Sequence, residues 1–171
     1  ICAGSYHSCA IVNISGTNEN KLKCWGRNNQ GQGGWEWWNP EVEKPEGNWQ
    51  WWNTAHTSLG LSSEFRGHAA NTMGTYLEII PLGNRFTPKF VDCGKTSTCV
   101  ISTLGQVKCF GKSDNGQIGH SDSYIDNKTI GKDSNTMGTN LMFLEFGGGN
   151  VAQKIDVYGD TSCALLNNNQ L

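Results

Sequence analysis

The chain has 171 residues, among them 22 glycines, 18 asparagines, 4 prolines and 7 cysteines, and a formal net charge of -2. The near-neutral charge argues against a nucleic-acid partner, and the lack of a long apolar run argues against a membrane span. Many Gly and Asn residues at low charge are typical of a turn-rich β protein. The odd cysteine count predicts one cysteine that reacts, pairs with another chain or lacks its partner.

Three short segments repeat along the chain. The strand Cys9-Ala10-Ile11-Val12 recurs as Cys99-Val100-Ile101-Ser102 and as Cys163-Ala164-Leu165-Leu166. The motif Lys23-Cys24-Trp25-Gly26, followed by a Gly-Gln turn, recurs as Lys108-Cys109-Phe110-Gly111. The Asn-Thr-Met-Gly-Thr block at 71–75 returns at 135–139, an offset of 64 that also separates Cys99 from Cys163. This period is typical of one multi-stranded blade per repeat.

The first copy is longer than the second, because Cys9 and Cys99 are 90 residues apart. We predict a first repeat at 1–89 with a Trp-rich insertion at 35–70, a second repeat at 90–150, and the start of a third at 151–171. Short β-rich runs between Gly and Asn turns, without a helical period, predict an all-β fold.

Hairpins bring four of the cysteines together. Cys99 and Cys109 flank the turn 103–105, in which Gly105 tolerates positive φ, and Cys9 and Cys24 occupy the same places around a longer loop. This spacing favours disulfides over metal ligands, because zinc sites usually show closely spaced Cys pairs. We therefore predict no metal and no cofactor, and disulfides place the chain in a secreted or extracellular compartment.

These segments resemble the secreted, cysteine-containing repeats of the regulator of chromosome condensation family. The family pattern is Gly-x-x-His-(Ser/Thr)-Cys-Ala-Leu, a hairpin, and Lys-Cys-Trp-Gly-x-Asn-x-x-Gly-Gln-Leu-Gly. Residues 4–11 and 23–34 match it closely, residues 94–100 and 108–119 match with Ser97 in place of His, and residues 159–166 match with one deletion. The resemblance covers about two-thirds of the chain and leaves out 35–70 and 120–134.

The resemblance implies blades of a seven-bladed β-propeller that serves mainly as a binding platform. About two and a half blades do not close a ring, so we expect a segment of a longer polypeptide, or one completed by neighbouring copies. Cys163 is then the orphan, with its hairpin partner expected two residues beyond Leu171. Cys2 and Cys93 lie before successive copies of one strand, and we predict that they bridge adjacent blades.

The insertion carries six of the seven tryptophans. Trp35, Trp37 and Trp38 are repeated 14 residues later as Trp49, Trp51 and Trp52 around a Pro- and Gly-marked turn. One interpretation is an exposed hairpin that stacks on sugars or anchors a protein, since Trp is common at interaction hot spots. The alternative is a hairpin that covers its own blade.

Two N-glycosylation sequons begin at Asn13 and Asn127, both in predicted loops, and we predict an N-linked glycan at each. The four histidines are scattered. We predict a structural hydrogen-bonding role for His7 and a loop position for His120, and His56 and His68 lie in the insertion without nearby metal ligands.

No catalytic motif is present in the sequence. We therefore predict a non-catalytic extracellular propeller module, a structural or adhesive glycoprotein that binds a protein partner or self-associates, in a filament for example. The alternatives are a soluble inhibitor or lectin-like propeller that caps a protein or glycan and, less favoured, an intracellular nucleotide-exchange propeller, which paired cysteines oppose.

Overall fold

The computed structural model describes residues 1–14, 19–28, 65–66, 73–74, 77–120, 129–131 and 136–170. These residues form ten strands in three antiparallel sheets. The first sheet contains β1 (Cys2–Ala3), β2 (His7–Asn13), β3 (Asn20–Arg27) and β4 (Phe65–Arg66). The second contains β5 (Pro88–Cys93), β6 (Ser97–Ser102), β7 (Val107–Lys112) and β8 (Thr129–Ile130). The third contains β9 (Ala152–Tyr158) and β10 (Thr161–Leu166).

The sheets are meanders in which each strand pairs with the next along the chain. Two complete four-stranded sheets and one two-stranded sheet agree with the expected blades. The structure contains the short 3-10 turn Gly138–Asn140. Among the described residues, no helix is long and apolar enough to cross a membrane. The division of the chain at 1–89, 90–150 and 151–171 stays a prediction.

The hairpin of the second sheet shows why the strands reverse where they do. Gly105 has a φ of 77°, and its N–H donates to the carbonyl of Ser102 at 3.0 Å. The Ser102 N–H in turn donates to the Gln106 carbonyl at 2.8 Å. A residue with a Cβ adopts this left-handed conformation only with strain, so glycine here sets the register of β6 against β7.

The core lies between the sheets. Every residue of β6 is buried, because the first sheet covers one of its faces and the third sheet covers the other. The apolar residues at its centre, Val100 and Ile101, are 0% and 1% exposed. A strand buried on both faces is what a stack of blades produces in its middle member.

Glycines allow the turns of neighbouring sheets to approach each other. The N–H of Ser5 donates to the Gly94 carbonyl at 3.3 Å, and the N–H of Lys95 donates to the Gly159 carbonyl at 2.9 Å. A Cβ on Gly4 would overlap the Gly94 carbonyl oxygen, and one on Gly94 would lie 2.9 Å from the Gly159 carbonyl oxygen. The same Gly position therefore makes the same contact at both seams.

The glycine of the Lys-Cys-aromatic-Gly motif meets a second backbone constraint. Gly26 and Gly111 have φ of 104° and 110°. Gly26 lies against the turn before β2, and Gly111 lies against the turn before β6. The next residue donates its N–H into that turn, from Arg27 to the Tyr6 carbonyl at 2.8 Å and from Lys112 to the Thr96 carbonyl at 2.9 Å. The repeated glycine thus fixes the end of each hairpin.

We predict that Gly111→Ala destabilises the protein by at least about 2 kcal/mol. The added Cβ would overlap the Thr96 carbonyl oxygen at a positive φ. Gly116→Ala is the matched control, because Gly116 also has a positive φ, of 74°, but no atom within 4 Å of the added Cβ. Strain alone should cost that control about 1 to 2 kcal/mol. Urea unfolding of both variants measures the difference, and equal losses would contradict the contact argument.

Candidate functional site

Two disulfides lie within blades. Cys9 and Cys24 are directly opposite on β2 and β3, and Cys99 and Cys109 are directly opposite on β6 and β7. Both pairs have Cα atoms 4.1 Å apart. This spacing is near the value of about 4.5 Å for opposed residues that do not share backbone hydrogen bonds, where side chains come closest.

A third disulfide crosses between blades. Cys2 of β1 is bonded to Cys93 of β5, with Cα atoms 5.6 Å apart and 91 residues between them in sequence. This separation is well within the range that a disulfide spans. The bond joins the first sheet to the second at the side of the sheet where Cys9 lies, because Cys2 and Cys9 are paired in register.

The same place in the second sheet carries a different chemical group. Asp92 is paired in register with Cys99, as Cys2 is with Cys9. Its carboxylate accepts a hydrogen bond from the Val157 N–H of the third sheet at 2.7 Å and another from the Cys93 N–H at 3.0 Å. One position in the repeat therefore reaches the next blade, by a disulfide at the first seam and by a carboxylate at the second.

Sulfur atoms are concentrated at the first seam. The Sγ atoms of Cys2, Cys9 and Cys93 all lie within 4.8 Å of one another, and the three residues are buried. Thiolates are the form of cysteine that binds soft metals, and here each of these sulfurs is already in a disulfide. The cluster therefore serves as a covalent link in the oxidised chain.

Cys163 differs from its equivalents. It is a free thiol and exposed, whereas Cys9 and Cys99 are 0% exposed. It lies on β10, opposite Asp156 of β9.

His7 lies at the first seam. Its ring is 3% exposed, and its Nε2 shares a hydrogen bond of 2.7 Å with the Thr98 hydroxyl of the second sheet. Burial lowers the pKa of His7 to about 4, so the ring is neutral at physiological pH. Neutral and hydrogen-bonded between two sheets, it stabilises their contact. His120 is also shielded, and burial lowers its pKa while a hydrogen bond to the Cys109 backbone opposes that shift.

Lys108 is an unusual buried cation that the sequence reasoning did not single out. It is 3% exposed, and its ammonium donates to the Leu82 carbonyl at 2.8 Å and the Gly138 carbonyl at 3.4 Å. The ring centroids of Phe86 and Phe143 lie 5.5 and 4.5 Å from the ammonium nitrogen. Burial lowers the pKa of Lys108 to about 8.

The equivalent lysine of the first repeat makes an equivalent contact. Lys23 donates to the Gly74 carbonyl at 2.9 Å, and Gly74 is the Met-Gly glycine that corresponds to Gly138. In both repeats, therefore, the lysine of the hairpin holds the Met-Gly block. The signal in the sequence was the recurrence of both motifs in one order, although nothing in it indicated that they touch.

Two exposed tyrosines flank the row of inter-sheet turns. Tyr6 follows the first turn and is 46% exposed, with the Arg27 guanidinium 5.4 Å from its ring centroid. Tyr158 precedes the third turn and is 87% exposed. Such amphipathic rings are common at protein interfaces, and the sequence-based prediction did not include either tyrosine.

Of the remaining predicted site residues, the structure describes only Asn13. Asn13 is exposed at the end of β2, and its amide donates to the Asn20 side chain at 3.5 Å. Outside the described residues lie Asn127, His56 and His68 together with Trp35, Trp37, Trp38, Trp49, Trp51 and Trp52. Their roles stay predictions.

Replacing both Cys2 and Cys93 by Ser should destabilise the protein more than replacing both Cys99 and Cys109. The disulfides close loops of 91 and 10 residues. Loop-closure entropy then gives about 4 to 5 kcal/mol for the first bridge and about 3 kcal/mol for the second. Urea midpoints of the two double variants test the order, and a larger loss in the hairpin variant would contradict it.

His7 should make the protein less stable in acid. The pKa of His7 is about 4 in the folded state and about 6.5 in the unfolded chain. Only the unfolded state binds this proton between those values, so the free energy of unfolding falls by up to about 3 kcal/mol as pH drops from 6.5 to 4. His7→Gln should remove that part of the pH dependence. Stability curves of the two proteins that stay parallel over this range would contradict the assignment.

No protein-family model and no curated protein sequence matches the chain. Solved structures do resemble it. Prp20p from Saccharomyces cerevisiae gives a TM-score of 0.54 at 17% identity, over 95% of this chain and 30% of that one. Yeast RCC1 (Prp20) bound to Kap60 gives 0.53 at 17% identity, over 95% and 28%. Human WBSCR16 gives 0.51 at 16% identity, over 95% and 29%.

The chain thus spans less than a third of the length of these structures. At this level of identity the likeness concerns the fold alone. The sheets described above correspond to part of such a propeller, and the prediction of an all-β fold made of RCC1-like propeller blades is confirmed.

Proposed function

We propose that the chain is a non-catalytic extracellular propeller module with a structural or adhesive role. The observation that carries this proposal is the pairing of six of the seven cysteines, within two blades and across one seam. Disulfides persist in oxidising compartments and are rare in the cytosol and nucleus. An intracellular nucleotide-exchange propeller would have to keep these buried, closely opposed sulfurs reduced, so the pairing counts against that alternative.

The shifted titratable groups support a non-catalytic role. Active sites are where strongly perturbed pKa values usually occur. The two largest shifts of pKa in the described residues belong to His7 and Lys108. Burial explains both shifts. Each side chain also has partners within the fold, the Thr98 hydroxyl for His7 and two carbonyls with two aromatic rings for Lys108. Each therefore has a role in packing that needs no substrate.

The position of Asn13 supports the proposal of a glycoprotein. It is exposed at the end of β2, where an N-linked sugar would extend into solvent without displacing the core. The glycan at Asn127 is proposed from its sequon alone.

A protein partner or self-association is the binding function that we propose. Prp20p was characterised together with its binding to Gsp1p and histones, which shows one propeller of this fold acting as a protein-binding platform. In this chain the candidate surfaces are the Trp-rich segment 35–52 and the surroundings of the exposed residues Tyr6 and Tyr158. The second candidate function is a soluble propeller that caps a protein or glycan partner, favoured by the same exposed aromatic residues.

The test of the extracellular proposal is a thiol count on the secreted protein. In denatured but unreduced protein, the six paired cysteines (Cys2, Cys9, Cys24, Cys93, Cys99 and Cys109) should resist alkylation, and after reduction all six should react. Alkylation followed by peptide mass spectrometry measures the state of each cysteine. Four or more free thiols in the unreduced protein would overturn the proposal.

The Trp-rich segment is tested separately. Trp37→Lys and Trp51→Lys should lower binding to a partner, or self-association, at least ten-fold if these side chains form an interface. Light scattering and pull-down from the extracellular medium measure the two kinds of binding. Trp25→Lys is not a useful control, because Trp25 lies in strand β3. Leu104→Lys is the control, because Leu104 is exposed in a turn. Unchanged binding in both Trp variants would assign the segment to packing.

A further inference from the structure

Two disulfides share one buried cluster of sulfur atoms at the first seam. The Sγ atoms of Cys2, Cys9 and Cys93 all lie within 4.8 Å of one another. Cys2 and Cys93 form the bridge between the sheets, whereas Cys9 belongs to the hairpin bridge with Cys24. One sulfur of the hairpin bridge therefore lies beside both sulfurs of the bridge that crosses the seam.

The pairing of the strands explains why these sulfurs meet. Cys2 is paired in register with Cys9, so both side chains lie on the same face of the first sheet. Cys93 is paired in register with Thr98, and the Thr98 hydroxyl lies 4.0 Å from the Cys9 Sγ atom. Cys93 therefore lies on the face of the second sheet that packs against the first, and the cluster is part of the packed seam.

The hairpin bridge of the second sheet offers a close comparison. Cys9 and Cys24 are both 0% exposed, as are Cys99 and Cys109. The Cα atoms of both pairs are 4.1 Å apart, and both pairs join directly opposed residues of a hairpin. Direct attack by a reductant from solvent should therefore be equally hindered at the two bridges.

The two hairpin bridges differ in the group that lies opposite them. Asp92 is paired with Cys99, as Cys2 is with Cys9, and a carboxylate does not exchange with a disulfide. Cys93 follows Asp92 in β5, so its side chain lies on the other face of the second sheet. The hairpin bridge of the second sheet thus has a carboxylate in the place where the first has a sulfur.

We propose that the cluster of Cys2, Cys9 and Cys93 is a site of thiol–disulfide exchange, which accepts a dithiol reductant and passes the reduction on to the buried Cys9–Cys24 bridge. This inference goes beyond the proposed function, because it assigns a reaction to a bridge that otherwise only joins two blades. The reductant is a small molecule or protein with two thiols, and it acts first on the bridge between the sheets.

The first step reduces the bridge between the sheets. Cys93 is 5% exposed, whereas both cysteines of the hairpin bridge are 0% exposed, so the reductant reaches the seam first. A thiolate of the dithiol attacks the sulfur of Cys2 or Cys93, and the second thiol of the reductant then closes a cyclic disulfide. The reductant loses two electrons and two protons, and Cys2 and Cys93 become thiols.

The second step is an exchange within the cluster. The thiolate of Cys2 or Cys93 attacks Cys9, so a new bond to Cys9 forms while the Cys9–Cys24 bond breaks. Cys24 leaves as a thiolate and takes up the proton that the attacking thiol lost, and no electrons are gained or lost. Because the attacking sulfur is held beside its target, the reaction is intramolecular and needs no reductant at Cys9.

Pulsed alkylation during reduction tests this exchange. The folded protein is treated with dithiothreitol, samples are alkylated at intervals, and peptide mass spectrometry follows each cysteine. We expect Cys24 to be alkylated at least about ten-fold faster than Cys109, because only the first hairpin bridge has a sulfur beside it. Both rates come from one molecule, so unfolding of the whole chain affects them alike. Equal rates for the two cysteines would overturn the proposal.

The double variant Cys2→Ser/Cys93→Ser is the control for the origin of that difference. It removes the attacking sulfurs and keeps both hairpin bridges, so the ratio of the two alkylation rates should fall to about one. A ratio that stays near ten would mean that the first hairpin opens by itself, and would overturn the proposal.

Single variants give a second readout that needs no reductant. Cys2→Ser leaves the Cys93 thiol beside the hairpin bridge, and Cys93→Ser leaves the Cys2 thiol there. We expect at least one of these variants to contain molecules in which Cys24 is a free thiol and Cys9 is bonded to the remaining cysteine. Cys99→Ser is the matched control, because it also frees one thiol, at Cys109, and should leave the other two bridges intact.

An unchanged Cys9–Cys24 bridge in both single variants would overturn the exchange. The failure of this inference is distinguishable from that of the proposed function. Mapping of the unreduced wild-type protein tests whether the cysteines are paired, whereas these experiments test only how the pairs exchange.

Discussion

The close approach of turn glycines between neighbouring sheets is the constraint on which the rest of the structure depends. Each seam has a backbone hydrogen bond from the residue after one glycine to the carbonyl of the next, at 3.3 Å and 2.9 Å. With a Cβ at Gly4 or Gly94 the sheets would have to separate. The disulfide, the His7–Thr98 contact and the burial of β6 all require the sheets to lie at this distance.

Within that frame, one position shows how a repeat varies its chemistry while keeping its geometry. Cys2 and Asp92 both point to the following sheet, and one forms a covalent bond while the other accepts a backbone hydrogen bond. The disulfide limits how far its two cysteines can separate even in the unfolded chain. The carboxylate, in contrast, acts only while the two sheets are in contact. The first seam is thus held together more firmly than the second.

Much of this architecture could be predicted from the sequence because repetition reveals it. Recurring strands and Gly turns indicated the blades, and the short spacing of Cys99 and Cys109 indicated that a hairpin brings them together. The contacts of Lys108 could not be predicted, because its acceptors are backbone carbonyls at Leu82 and Gly138 whose positions only the folded chain defines. The exposure of Tyr158 could not be predicted either, because an aromatic residue next to a turn can be buried or exposed to solvent.

The lysine that holds the Met-Gly block has a consequence for how such repeats tolerate change. Lys23 and Gly74 are 51 residues apart, whereas Lys108 and Gly138 are 30 apart, yet both pairs meet. The entropy of closing a flexible loop grows only with the logarithm of its length, so the longer segment adds about 0.5 kcal/mol. The contact between a hairpin and its block therefore tolerates a longer stretch between them at a small cost in entropy, and the first repeat, in which that stretch is 21 residues longer, shows this.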